Sequence, residues 1–476
     1  MTTSTPTDLT QCTAIQLLDL YRSGAASPVD TTHALLARIE KVNPQINAFT
    51  LIDEDVALAC AKASEIKWHA HRQSGGQSAD LGALEGVPVS IKDLILTRGW
   101  PTLRGSRTID PKQAWDVDAP VTARLREAGA VLFAKTTTPE FGCKAETNSP
   151  ATGFTRNPWN LAKTPGGSSG GTAAAVAAGL GPLGVGTDGA GSVRIPASFC
   201  GNFGLKPSFG RVPAYPLSPF GSVAHLGPHS MSVADAALMM NVMKQPDARD
   251  WTSLPVDTTN YLQGLDNGIR GLRIAYSSTL GFAKNIHPDV AAAVDNAVKV
   301  LKDLGAQVDL IDPGFEDPLA ITTGLWFLGA LTVWKGMTPE QQALADPDFK
   351  AQALLGQQYS ALDIQQLNLQ RGALGSHMRQ FMLKYDVLVT PSVAIPAFDV
   401  RPPGQQTMTP ESMLGWTPFS YPFNLTQQPA ASVPCGLTQE GLPIGLQFVG
   451  RMFDDAMVLR AAKAYETICP IPRPKI

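Results

Sequence analysis

Thr164-Pro165-Gly166-Gly167-Ser168-Ser169-Gly170-Gly171 is the stretch that decides how this 476-residue chain is read. Ser168 is followed 24 positions later by Ser192, inside Gly186-Thr187-Asp188-Gly189-Ala190-Gly191-Ser192-Val193-Arg194. Glycine lets a main chain fold tightly round a reacting group and aim N–H groups at it, which bulkier residues obstruct. Upstream, Gly86-Val87-Pro88-Val89-Ser90-Ile91-Lys92-Asp93 alternates branched with other residues, the period-two pattern of a strand with one buried face. Lys92 then ends that strand on the face opposite Val87, Val89 and Ile91.

Further short apolar strands are expected at 131–134, 272–275, 308–311, 387–389 and 444–448, with a helix over 290–304 before the strand at 308. Residues 13 to 47 read as two helices, the first carrying Ile15, Leu17, Leu18 and Tyr21 on one face, and Pro44 is expected to end the pair. Strands alternating with helices predict an α/β fold: a single large layered domain with a mixed, largely parallel β-sheet core covered by helices on both sides. One domain is expected over 1–476, with N-terminal helices at 13–47, a core at 82–230 and a helical and loop cover at about 312–423. The Gly/Ser stretches at 73 to 78 and 166 to 171 are too short for linkers, and there is no internal repeat.

Hydrophobic residues make up 44% and charged ones 17%, enough apolar side chain for a large core and too little charge for disorder. The net charge of −3 and the lack of a Lys/Arg cluster argue against direct nucleic-acid binding. Met1 to Thr10 has neither a basic start nor an apolar core, so secretion is not indicated. The small-apolar run 172–186 is broken by Gly179, Gly181 and Pro182, short of the ~20 residues a membrane span needs. Six cysteines, far apart and without a Cys-x-x-Cys pair, read as reduced thiols of a cytoplasmic protein. His69 and His71 lack a third ligand and read as solvated surface, and neither a metal nor a cofactor is expected.

Taken together, the segments 86–93, 164–171, 186–196, Cys200-Gly201 with Gly204-Leu205-Lys206-Pro207, and 442–447 resemble the amidase signature family, and they span most of the chain. The resemblance implies that fold and a Ser-cisSer-Lys triad: Ser192 as nucleophile, Ser168 as bridging serine on a cis peptide bond, Lys92 as base. A serine hydroxyl is a poor nucleophile until its proton has somewhere to go, and a lysine accepts it only when neutral, which burial favours. The backbone N–H groups of Gly189, Ala190, Gly191 and Ser192 would form the oxyanion hole. The family usually has glycine where Ala190 stands, so this backbone must keep φ negative there or accept strain. Asp188 and Arg194 are expected to pair and brace the loop.

The resulting expectation is an amidohydrolase that cleaves a carboxylic acid amide through an acyl-enzyme on Ser192, with aryl amides, esters and carbamates in range. Its partners would be that small-molecule substrate, with no direct nucleic acid and no membrane, in a monomer or homodimer. Aromatic and Met residues at 326–334 and 398–423, Met408 among them, suggest an apolar cover over the pocket, with Trp326, Trp334, Trp416 and Phe419 as candidate lining. The alternatives are the A-type glutaminase component of a tRNA-dependent amidotransferase within the same family, and a catalytically dead family member that binds. A third is an α/β hydrolase with Ser168 in a G-x-S-x-G elbow, which lacks a preceding strand and a histidine singled out by context.

Overall fold

The computed structural model describes residues 8–77, 80–405 and 409–476; residues 1–7, 78–79 and 406–408, Met408 among them, lie outside the described residues. The strands in chain order are β1 Phe49–Ile52, β2 Pro88–Lys92, β3 Val131–Thr136, β4 Asn148–Ser149, β5 Gly153–Phe154, β6 Leu183–Asp188 and β7 Phe203–Lys206. Then come β8 His225–Ser230, β9 Arg273–Tyr276, β10 Gln307–Leu310, β11 Val387–Pro391, β12 Ala430–Leu437 and β13 Pro443–Gly450. β4 and β5 form a small ribbon, while the other strands make one sheet in the order β1-β3-β2-β6-β8-β7-β12-β13-β11-β9-β10. The result is a single α/β domain with a mixed sheet between helical layers.

Parallel pairing occurs in β3–β2–β6 and in β11–β9–β10. Between these two groups β8, β7, β12 and β13 pair antiparallel. Of these, β13 alternates at Ile444, Leu446 and Phe448 and was expected, whereas β7, β8 and β12 carry Gly, Pro, His and Ser without alternation, so periodicity does not reach them.

Each face of the sheet is buried under its own set of helices. On one face Val87, Val89, Ile91, Val387 and Val389 pack with Leu17, Leu18 and Tyr21, and with the helices Val233–Met243, Pro288–Asp303 and Asp455–Ile468. On the other, Val131 and Phe133 meet the helices Pro28–Ile46 and Gly170–Ala177, and Leu388 meets the helix Leu319–Lys335. Every residue of β2 is buried, so Ser90 and Lys92 project into protein instead of the solvated face that alternation suggests. The strand keeps its period of two because the second layer covers it.

Thr13 and Ser27 start the first two helices with reciprocal capping to Gln16 and Asp30. The second helix does not stop at Pro44 but runs on to Ile46, where Asn47 turns left-handed at φ 51°. Proline in the last turn removes one hydrogen bond, while buried Val42 and Ile46 hold the turn in place.

Candidate functional site

The parallel neighbours β2 and β6 bring their C-terminal ends side by side, with Ile91 opposite Val185. Lys92 therefore ends next to Thr187, and the turn before the helix Gly170–Ala177 places Ser168 and Ser169 over both. Lys92 Nζ donates to Ser168 Oγ at 2.7 Å, Ser169 Oγ at 2.9 Å and Thr187 Oγ1 at 2.8 Å. All its partners are neutral hydroxyls. The lysine is fully enclosed, and burial pushes its amine well below the ordinary value, with Asp188 restoring only part. The Gly167–Ser168 peptide is cis.

Ser169 and Thr187 are partners of Lys92 that sequence reasoning missed. Ser169 occupies the N-cap of its helix, yet its hydroxyl makes no capping bond. Instead it donates to the Thr187 carbonyl at 3.0 Å and accepts the Thr187 N–H at 3.1 Å. Its place between Ser168 and the helix was legible; that the hydroxyl turns away from the helix was not.

Beyond β6 the chain turns through Gly189 to Ser192, and Asp188 holds the turn from beneath. Its carboxylate accepts from the N–H groups of Gly191 at 2.7 Å and Val193 at 3.1 Å, and takes two bonds of 3.0 Å from Arg194. Arg194, fully buried, also donates to the Ser420 carbonyl, Gln447 Oε1 and Asn424 Oδ1, so its side chain ties the loop to β13 and to the segment after 410. Burial alone would raise the Asp188 carboxyl; Arg194 beside it reverses that and holds it far below the usual carboxylate range. Arg194→Met should cost about 3–5 kcal/mol in denaturant unfolding because it strands a buried carboxylate. Adding Asp188→Asn should recover part of the loss, and two variants that each leave stability unchanged would contradict this account.

The Gly191 amide is committed to Asp188, which leaves the N–H groups of Gly189, Ala190 and Ser192 without a protein acceptor among the described residues. Ala190 is not among the residues with positive φ; the left-handed angle falls on Gly191, at 124°. A Cβ on Gly191 would also stand 2.5 Å from Ser420 Cβ, so that position requires glycine and position 190 does not.

Ser192 borders two cavities. The larger, about 140 Å³, is walled by Ser168, Thr187, Gly189, Phe141, Phe220, Trp326 and the turn 214–219. The smaller, about 20 Å³, is walled by Ala190, Trp326, Met413, Leu414 and Trp416. Ser168 faces only the larger. No hydrogen bond joins Ser168 Oγ to Ser192 Oγ; the two meet across the cavity wall.

Of the four aromatic candidates, Trp326 borders both cavities, stacked on Phe220 at 4.1 Å, and Trp416 borders the smaller, stacked on Phe199 at 5.8 Å. Trp334 and Phe419 reach neither. Trp334 packs on Phe349, and Phe419 is fully buried with its carbonyl accepting from Gln447. Both are core residues, the ordinary place for a large aromatic side chain. His225 and His229 are enclosed as well, and burial pushes both below the ordinary imidazole value, His229 to about 3. Neither hydrogen-bonds Ser168 or Ser192.

The model of the family described as Amidase matches residues 30–459. An acylamidase from Rhodococcus erythropolis is 36% identical over 96% of this chain and 95% of its own. The A-type component of a glutamyl-tRNA(Gln) amidotransferase from Chloroflexus aurantiacus is 37% identical over 97% of each chain. Among solved structures, a bacterial aryl acylamidase of the amidase signature enzymes superposes with a TM-score of 0.88 at 29% identity, covering 96% of both chains.

Proposed function

Because this chain belongs to the amidase family and is a hydrolase of amide C–N bonds, we propose that Ser192 is its nucleophile, Ser168 its proton relay and Lys92 its base. The observation that carries this reading is a lysine sealed among three hydroxyls with no carboxylate in contact, beside a cavity that both Ser168 and Ser192 border. A buried amine without a counter-charge favours its neutral form, and only that form can accept a proton. Ser192 Oγ attacks the amide carbon, its proton passing through Ser168 to Lys92. The developing oxyanion meets the N–H groups of Gly189, Ala190 and Ser192, with Gly191 serving as the fixed point of the loop. Ser168 then returns a proton to the departing nitrogen, and water releases the acyl group.

The larger cavity receives the leaving amine, because Ser168, which supplies that proton, faces only that side. Phe220 and Trp326 give it an aryl-sized apolar wall, so aryl amides suit it, and esters and carbamates, which share the acyl-transfer route, come within reach. The smaller cavity limits the acyl group to short chains. Purified protein assayed on anilides of increasing acyl length, aryl carbamates, esters and glutamine tests the reading. Short-chain anilides should lead; glutamine alone as substrate would place the chain with the amidotransferase components.

Trp416→Ala should enlarge the acyl side and shift kcat/KM between short and long acyl anilides by more than about 1 kcal/mol. Phe419→Ala should instead lower stability by about 3–5 kcal/mol and leave that ratio unchanged. A ratio that moves with Phe419 and not with Trp416 would overturn the division between wall and core.

A further inference from the structure

The larger cavity has one charged side chain in its wall, Arg104, and neither Asp nor Glu. Among the described residues the guanidinium makes no hydrogen bond and no ion pair, although it is half-buried. The acid whose charge acts on it, Asp93, is already engaged. Asp93 accepts the N–H groups of Leu103 and Gly105 at 3.1 Å each and has Lys135 at 3.9 Å. Burial pulls Arg104 below its ordinary value, and Asp93 offsets this only in part.

The smaller cavity shows what a matched cation looks like in this protein. Lys144, in its wall, is held by Asp346 at 2.9 Å and Asp348 at 2.7 Å. Its charge is spent inside the protein. Arg104 has no such acid, and a buried charge left unpaired is costly unless something else satisfies it.

The backbone also fixes Arg104 in place. It sits in the left-handed region at φ 56°, pinned by Asp93 on both flanking amides and by Phe141, whose N–H donates to the Arg104 carbonyl at 2.9 Å. A non-glycine residue held at such an angle is a cost that surrounding structure must enforce, and such residues gather where a side chain has to be aimed. On its outer side Arg104 borders a groove that includes exposed Asp116, with which it forms no ion pair.

We propose that Arg104 selects amides whose leaving amine carries a carboxylate, which the unpaired guanidinium in the wall of the larger cavity binds while Ser192 attacks the carbonyl. This rests on the amine occupying the larger cavity. The guanidinium fork matches a carboxylate with two parallel bonds, and the apolar walls beside it suit a ring or short alkyl spacer between acid and amide. The product amine would then be an amino acid in the broad sense, such as an aminobenzoate.

The test compares ortho-, meta- and para-acetamidobenzoate with the matching acetotoluidides, in which a methyl group replaces the carboxylate. At least one acid should exceed its toluidide in kcat/KM by about tenfold or more, chiefly through a lower KM. Arg104→Leu should bring that pair to equality, and Arg104→Lys should retain part of the preference. Labelling of Ser192 by a neutral fluorophosphonate shows that each variant's site is assembled. Calorimetry of the same ligands on Ser192→Ala reads the preference without turnover, which separates this inference from the assignment of the nucleophile. No preference for any acid, or an Arg104→Leu loss equal on both members of the pair, overturns it.

Discussion

Ser192→Ala should lower amide hydrolysis by on the order of 10⁴-fold or more and leave the melting temperature unchanged. The rate effect follows from removal of the oxygen that accepts the acyl group. The stability effect follows from the structure: Ser192 Oγ faces a cavity and forms no hydrogen bond with Ser168, so its loss leaves no buried partner unsatisfied. A fluorophosphonate should label the wild type at Ser192 and fail to label the variant. Ser168→Ala should also be severely impaired while keeping Ser192 in place. Label found on Ser168 in the wild type would reverse the two roles, in favour of a nucleophile elbow.

Activity should rise with pH along a limb set by Lys92, and Lys92→Met should remove both the activity and the limb. Burial lowers the Lys92 amine well below its ordinary value of 10.5, so the fraction able to accept a proton grows as pH rises through the folded value and then levels off. An imidazole base would behave otherwise, since His229 is pushed to about 3 and His225 also lies below its ordinary range, leaving both neutral throughout the working range. A rising limb that survives in Lys92→Met would end the lysine mechanism.

The same shift has a consequence for stability. Between the depressed folded value and the ordinary one, the unfolded chain binds a proton at Lys92 that the folded chain does not, so stability rises with pH across that window. The penalty is complete below the folded value and gone above the ordinary one. Lys206, also lowered by burial, and Lys135, lowered to about 8, contribute in the same direction. Lys92→Met should therefore be more stable than the wild type at neutral pH, by a margin that narrows toward alkaline pH. A margin that widens with pH would mean that Lys92 is charged in the folded protein.

The local sequence was sufficient to locate β2, β3, β9, β10, β11 and β13 and the two helices within 13–47, and it displayed the motifs from which the roles of Lys92, Ser168 and Ser192 are proposed. Alternation, capping residues and glycine-rich turns act over a few residues, and a chain displays them whatever its neighbours do. The pairing of Asp188 with Arg194 was legible for the same reason, as the two lie six positions apart. Tertiary structure alone decided the rest. The antiparallel middle of the sheet joins β6 to β8 and β7 to β12 across long stretches of chain, through strands whose Gly, Pro and His carry no period. Burial of Lys92 on all sides depends on the helix Gly170–Ala177 closing over β2, which brings Ser169 to Lys92, while the pairing of β2 with β6 brings Thr187. Aromatic residues look alike along the chain. What makes Trp326 and Trp416 wall, and Trp334 and Phe419 core, is which of them the packed fold leaves facing a cavity.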